Sequence, residues 1–539
     1  MKKRWLSLLT GLTLCLALAP LRAAAERPAA PSLPRPAGIL LEEATGGVDE
    51  ATLQGLPEPD YAGATEALRQ GIADRAEVIR IDQYRIPATS AALDRLICSV
   101  YYRYGELFVL DPSQQWPCSV LGGVLYEITP PYRADLDPES YARARDFYDK
   151  TLASIVEQVP EGFSDAEKVL FIHDYLAANY EYDYDYAIYD AYNFLQEGKG
   201  VCQAYTLTFS ALMDRLGIPV SYVESALLNH VWNVVKLGES WYHIDVTWDD
   251  PGIPTSPDDQ GNPRATDVAG AASHSCFLIS DQTNEAIRRA WAEENGLEYA
   301  NDQVCGLEDV ACPDNAYETG PWAQADSPVV YVPENERWYY LSTELSDQGF
   351  YCWSGDAQEA PVRIGDYSEM HYGGAAPLVE YRGCLFFADP GQVNRWELST
   401  GTMDTVLAAD GGAYAYSGFR LQDGGLRVKD RLTEVFTRFE GQLLPWREVD
   451  AGLCSYYYDF GQVDVRLGED ARDKHFFLAW YDGATGQMTG LDRITADGSF
   501  GQGVTDMDLE CTLFILCDDA TWAPARPKVL LKPQLALDK

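Results

Sequence analysis

The chain has 539 residues, 46% of them apolar, with 13 Trp, 34 Tyr and 18 Phe; so many aromatics can bury a core, which excludes full disorder. Lys and Arg total 41 against 83 Asp and Glu, a net charge of −42. A polyanion of this kind repels nucleic-acid phosphates and anionic lipid heads, which excludes general binding to either. The length suggests about three domains.

Met1 to Arg4 is basic, Trp5 to Ala19 is apolar with a few Ser and Thr, and Ala23-Ala24-Ala25 is a small-x-small site. This is the pattern of a secretory signal peptide over residues 1–25, and it predicts a secreted, extracellular or cell-surface protein. Leu14 is bulky where a lipid anchor at Cys15 needs a small residue. No later run reaches the 18 or so apolar residues of a membrane helix, so no membrane span is expected. Export permits disulfides. Eleven of the twelve cysteines follow Cys15, an odd number, and Cys305/Cys312 and Cys511/Cys517 are near enough in sequence to bridge locally. Residues 26–60 are rich in Pro and read as an extended linker.

Residues 61–159 read as a small mixed α/β region. Thr65 to Ile79 is predicted helical, Ser90 caps a helix, Leu107–Leu110 and Gly123–Ile128 read as strands, and Asp137-Pro138-Glu139 opens a helix running toward Val159. A third region spans 160–300. Ser164 followed by Glu167 has the capping-box form. The Tyr-Asp stretch from Tyr180 to Tyr192 reads as an acidic loop, since its spacing does not match a calcium loop. Val201 to Leu216 has helical periodicity and stops at Gly217. Val220–Glu224, His230–Leu237 and Trp241–Val246 then alternate as antiparallel strands. Residues 325–539 are all-β. Four segments there share an aromatic strand followed by a glycine, with Gly355, Gly401, Gly441 and Gly486 spaced 46, 40 and 45 apart. That period fits a propeller-like array of five blades; a pair of β-sandwiches is the rival.

Three chemistry-bearing residues stand in this frame. Cys202 follows a glycine turn and opens the helix from Val201, where exposed N–H groups and the positive dipole end stabilise a thiolate. His230 opens a strand, and Asp245 lies on the next one across the Gly238-Glu239 turn. Cross-strand neighbours share a face, so imidazole and carboxylate meet if the strands pair. A helix packed on that face completes a nucleophile, a base and an orienting acid. Trp232 and Trp248 flank the cleft and are candidate substrate contacts, though packing is the plainer role. His173 and His243 read as structural. No CxxC or HExxH spacing is present, so neither a metal nor a cofactor is expected.

Gly200-Val201-Cys202-x-x-Tyr205, His230-x-Trp232-Asn233-x-Val235 and Trp241-Tyr242-x-x-Asp245-x-Thr247-Trp248-Asp249-Asp250-Pro251, in this order, resemble the transglutaminase-like (transglutaminase-core) superfamily, its secreted bacterial members most of all. Phe163–Lys168, Ile172–Leu176 and Cys276–Asp281 also match its pattern, while Val231 stands where the family often has Ala. The resemblance implies an α+β papain-like core and a triad of Cys202 as nucleophile, His230 as general base and acid, and Asp245 as the residue orienting His230. It implies a thioester formed from a glutamine carboxamide and passed to an amine or water. Two other readings remain open: a cysteine peptidase or amidase acting with the same triad on protein or cell-wall peptide, and a non-catalytic surface protein that binds through its C-terminal β domain. The expected partner is a protein or peptide substrate.

Overall fold

The computed structural model describes residues 57–531, apart from 256–263, 307–309, 343–347, 357–358, 368–374, 390, 409–415, 423–424, 432, 434, 442, 445–446, 451–452, 460–461, 472–473, 483–484, 502–508, 518–523 and 526. The expected signal peptide and nearly all of the linker lie outside the described residues. No described helix is long and apolar enough to cross a membrane.

Helix α1 (Tyr61–Ala73) packs on α2 (Ser90–Tyr101) and on β1 (Ile79–Arg80), which forms a three-stranded sheet with β2 (Cys118–Leu121) and β3 (Val124–Ile128), while α3 (Pro138–Val156) packs on helices of the middle region. Asp137 caps α3 through Ser140 N, with Pro138 in its first turn as expected. Thr89, one residue before Ser90, is the cap of α2. Leu107–Leu110 departs from the expected strand. Gly105–Leu107 is a 3-10 turn, and Leu110 makes an isolated bridge to Tyr132. All four apolar side chains are buried, and a run buried on every side carries no alternation that separates strand from turn.

The middle region is built round one helix. After α4 (Asp165–Asn179) come β4 (Glu181–Tyr182), α5 (Ala191–Glu197), β5 (Lys199–Gly200) and α6 (Cys202–Leu216). Ser164 and Glu167 close the capping box of α4 reciprocally. Every residue of α6 from Cys202 to Met213 is buried, which makes it the axis of the domain. Gly217 ends it in the left-handed conformation (φ 73°). The helix lies on a five-stranded antiparallel sheet of order β11-β8-β7-β6-β12, with β6 at Val220–Ser225, β7 at His230–Leu237, β8 at Ser240–Ile244, β11 at Phe277–Ile279 and β12 at Val304–Cys305. A one-turn helix α7 (Val246–Asp249), the hairpin β9 (Gly252–Thr255) and β10 (Arg264–Asp267), and helix α8 (Asp281–Glu294) complete it.

Strands fill the rest of the described chain. Residues 330–365, 378–408 and 416–438 form three successive antiparallel sheets, and neighbouring sheets share buried cores. The last two sheets break the expected five-blade series. Gln462–Leu467 pairs with Gly498–Gly501 across an intervening hairpin, and the two sheets enclose one core containing Tyr456, Val463, Leu478, Trp480 and Leu513. The cause is strand length. Lys474–Asp482 and Leu509–Cys517 pair at all nine positions and hold a sheet of their own. No closed propeller is formed among the described residues. A single apolar core also runs from the central helices across residue 325, taking in Trp322, Val329, Trp338 and Trp353.

Candidate active site

The start of α6 is set by its neighbours. Gly200 has no room for a side chain: a Cβ would lie 2.6 Å from Phe194 and 2.7 Å from the Ala204 Cβ. Val201, the residue before the helix, offers no side-chain cap. The N-terminal N–H groups therefore gather around Cys202 without a capping oxygen, the environment that favours a thiolate. The acidic stretch from Tyr180 is organised by Asp183, which accepts N–H bonds from Asp185, Ala187 and Ile188 (2.8–3.2 Å) and pairs with Lys199 at 3.1 Å. Its oxygens are thus spent on the loop itself. Val201 N bonds Ile188 O at 2.9 Å, which ties that loop to the helix start.

Buried polar bonds lock α6 onto β7. Thr206 Oγ1 donates to Val231 O (3.0 Å), and Asn233 Nδ2 donates to Ser210 Oγ (2.9 Å). Cys202, 3% exposed, packs against Val231, Tyr222 and Tyr102. It therefore sits against the strand position next to His230. Asn229, with φ 47°, turns the chain immediately before that histidine.

His230 Nε2 meets Asp245 Oδ2 at 2.6 Å with both side chains buried. The expectation of a direct cross-strand pair needs correction. The β7–β8 ladder ends at Asn233↔Ile244, and Asp245 lies beyond it as the N-cap of α7, its Oδ1 accepting from Trp248 N at 3.1 Å. The cap holds the carboxylate still while its other oxygen faces His230. Nδ1 is the imidazole nitrogen that Asp245 does not engage. The ring lies between Trp232 (centroids 5.5 Å) and Trp248 (5.4 Å).

Trp232 is fully buried, and its indole N–H donates to His243 Nδ1 at 3.1 Å. It is a wall of the imidazole slot; Trp248 keeps partial exposure. His243 Nδ1 accepts, so its proton sits on Nε2 and is donated to Asp281 at 3.0 Å. Burial holds this histidine below its ordinary pKa, with Asp281 opposing. His243, Asp281 and Cys312 come close enough to suggest a metal site. The tautomer leaves no lone pair on Nε2 for an ion, so the donor set does not fit one. Cys312 and Cys511 are buried thiols, so neither expected local bridge is formed.

A second triplet, His173, Asp174 and His274, also comes together. His173 bonds Asp174 through Nδ1 (2.7 Å) and Asp249 through Nε2 (3.2 Å). Both nitrogens face carboxylates, so the ring is an imidazolium. Burial opposes that charge, and the two acids outweigh it, raising the pKa to about 9. A protonated ring is no metal ligand.

Burial would push the Asp245 carboxyl up; the charges and hydrogen bonds of His230 and Arg288 overcome it and hold the group well below the usual carboxylate range. Arg288 is absent from the sequence motifs. It projects from α8, a helix announced by Ser280 before Asp281 and by Ile287, Trp291 and Ala292 at helical spacing. A cavity of about 380 Å³ adjoins the site, lined by Gln203, Tyr189, Tyr101, Asp190 and Arg133 among others. The Gln203 side-chain oxygen is buried there with no hydrogen-bond partner.

Helix, sheet and buried histidine–aspartate pair together define a cysteine-centred α+β domain. Residues 153–246 match the model of the Transglutaminase-like superfamily, so the chain carries a transglutaminase-like domain. The match takes in Cys202, His230 and Asp245 and stops short of Arg288. No curated protein matches the chain. Among solved structures it is similar to the extracellular domain of BT4673 from B. thetaiotaomicron, at 10% identity over 56% of this chain and 49% of that one, with a TM-score of 0.18. It is also similar to the N-terminal domain of Nup159, at 8% identity over 46% and 69%, with a TM-score of 0.14. The chain spans about half the length of the first. Neither superposition is close enough to define a fold.

Proposed function

We propose that the protein is a secreted thiol acyltransferase of transglutaminase type. The observation that carries this reading is the buried 2.6 Å bond between His230 and Asp245 beside the uncapped helix start that bears Cys202. Cys202 gives its proton to His230, and the thiolate attacks a glutamine carboxamide carbon. The backbone N–H of Cys202 supports the tetrahedral oxyanion. Collapse breaks the C–N bond, His230 protonates the departing ammonia, and a thioester remains. An amine, deprotonated by His230, attacks the thioester and regenerates the thiol. The burial of Cys202 and His230 supports transfer over hydrolysis, because water competes poorly in a closed site.

The test is incubation of the mature protein with a glutamine peptide and a labelled primary amine. Incorporation of the label, lost in Cys202→Ala, is the expected result. A mass gain of about 1 Da without label means deamidation, and peptide fragments mean proteolysis. No product under any condition of pH or reductant defeats the enzymatic reading.

A further inference from the structure

Arg288 is wholly buried in the cluster that holds His230. Its Nη2 donates to Asp245 Oδ2 at 2.7 Å, the same oxygen that meets His230. Its Nε donates to Asn284 Oδ1 at 3.1 Å. Its guanidinium carbon lies 3.8 Å from the Trp248 ring centroid and 4.5 Å from that of Trp232, the two indoles that also enclose the imidazole. Nη1 has no hydrogen-bond partner. A buried cation with one open N–H group is costly unless its charge is used.

The charge count gives the use. In its reactive form the proposed site holds a Cys202 thiolate, a His230 imidazolium and an Asp245 carboxylate, one negative charge in excess. Arg288 makes the buried group neutral. Other titratable groups face it: Tyr102 and Tyr222 pack on Cys202, and Tyr189 lies within reach of its charge. His243 on β8 is held neutral by Trp232, Asp281 lies behind His243, and Tyr299 packs on the outer Arg289. We propose that Arg288 is a positioning residue that acts through Asp245: it shares the carboxylate with His230 and so sets the pH at which the thiolate–imidazolium pair forms. This rests on the triad reading above.

The sign follows from electrostatics. Removing a buried positive charge makes each proton harder to lose, whether it leaves Cys202 or His230. Both macroscopic steps then move to higher pH. A residue that merely held α8 in place would, when replaced, lower stability or amplitude and leave those steps where they were.

The experiment reads Cys202 directly, without needing the true substrate. The folded protein is alkylated with iodoacetamide between about pH 4 and 10, and the rate at Cys202 is followed by peptide mass spectrometry. In Arg288→Gln the expected curve rises about one pH unit later, roughly a tenfold smaller thiolate fraction at a fixed pH on the rising limb. Arg288→Lys keeps the charge and returns the curve toward wild type. Asn284→Asp places a counter-charge on Arg288 without removing it, and is expected to shift the curve upward even if Arg288→Gln does not fold. Superimposable curves for wild type, Arg288→Gln and Asn284→Asp overturn the inference, as does an Arg288→Lys curve displaced as far as that of Arg288→Gln. Failure of the triad reading looks different: wild-type Cys202 is then alkylated no faster than the other cysteines.

Discussion

Two buried histidine clusters lie in one domain, and they differ in how each imidazole is charged. His173 is bonded on both nitrogens to carboxylates, Asp174 and Asp249. His230 meets, through Nε2, the Asp245 carboxylate, which it shares with Arg288. Two acids hold an imidazolium through neutral pH, a structural cation. At His230 a carboxylate partly neutralised by a guanidinium is the setting that the proposed acid–base role calls for. On the proposed reading, the number of carboxylates and their counter-charges, more than burial, separates a structural histidine from a reactive one.

Substitution at the two clusters breaks this comparison most sharply. His230→Ala is expected to lower amine incorporation by a factor of 10³ or more while the thermal midpoint stays within about 3 °C of wild type. His173→Gln is expected to do the reverse in kind. It takes the imidazolium from Asp249, leaves Asp174 with His274 alone, and costs about 3–5 kcal/mol in urea unfolding. A His173→Gln protein as stable as wild type would remove the structural role.

The pH dependence of stability sharpens the contrast. The folded pKa of His173 is raised to about 9, above its unfolded value. Its contribution is complete below the unfolded pKa and is lost as pH rises through about 9. Asp174 moves the other way. Burial raises its pKa, the charges of His274 and His173 bring it down to about 2, and its contribution is lost as pH falls toward that value. Thermal midpoints measured from pH 6 to about 10 are expected to decline on the alkaline side, with the decline flattened in His173→Gln. The smallest effect lies outside both clusters: Ser164→Ala opens the capping box of α4 and is expected to cost about 1 kcal/mol, read from the urea midpoint.

Local signals carried the sequence reading furthest. The capping box at Ser164, the stop at Gly217 and the alternation from His230 to Leu237 each involve residues a few positions apart, and each element was legible. The three candidate residues could be named from spacing and resemblance. How His230 and Asp245 meet was not legible. The strand ends one residue before the carboxylate, and the cap geometry that aims it depends on α7. Arg288 was hidden for a related reason. It comes from a helix 43 positions beyond Asp245, and no short motif links them. The strand exchange in the last two sheets was invisible to a repeat search, which assumes that neighbours in sequence pair in space.

Asp174 has two more bonds, one of them between Oδ1 and His274 Nε2 at 2.9 Å. Its second oxygen accepts Val329 N at 2.6 Å, and His274 Nδ1 reaches Ala325 O at 3.4 Å. The strut that braces the middle of the molecule is therefore bolted to the first residues of the β-rich half. Anyone trimming this chain to a minimal catalytic fragment by the limits of the family match would cut away that bolt and lay bare a charged interior. A fragment that keeps its shape should run at least through the first sheet, to about residue 365, so that Trp338 and Trp353 still close the core they help to fill.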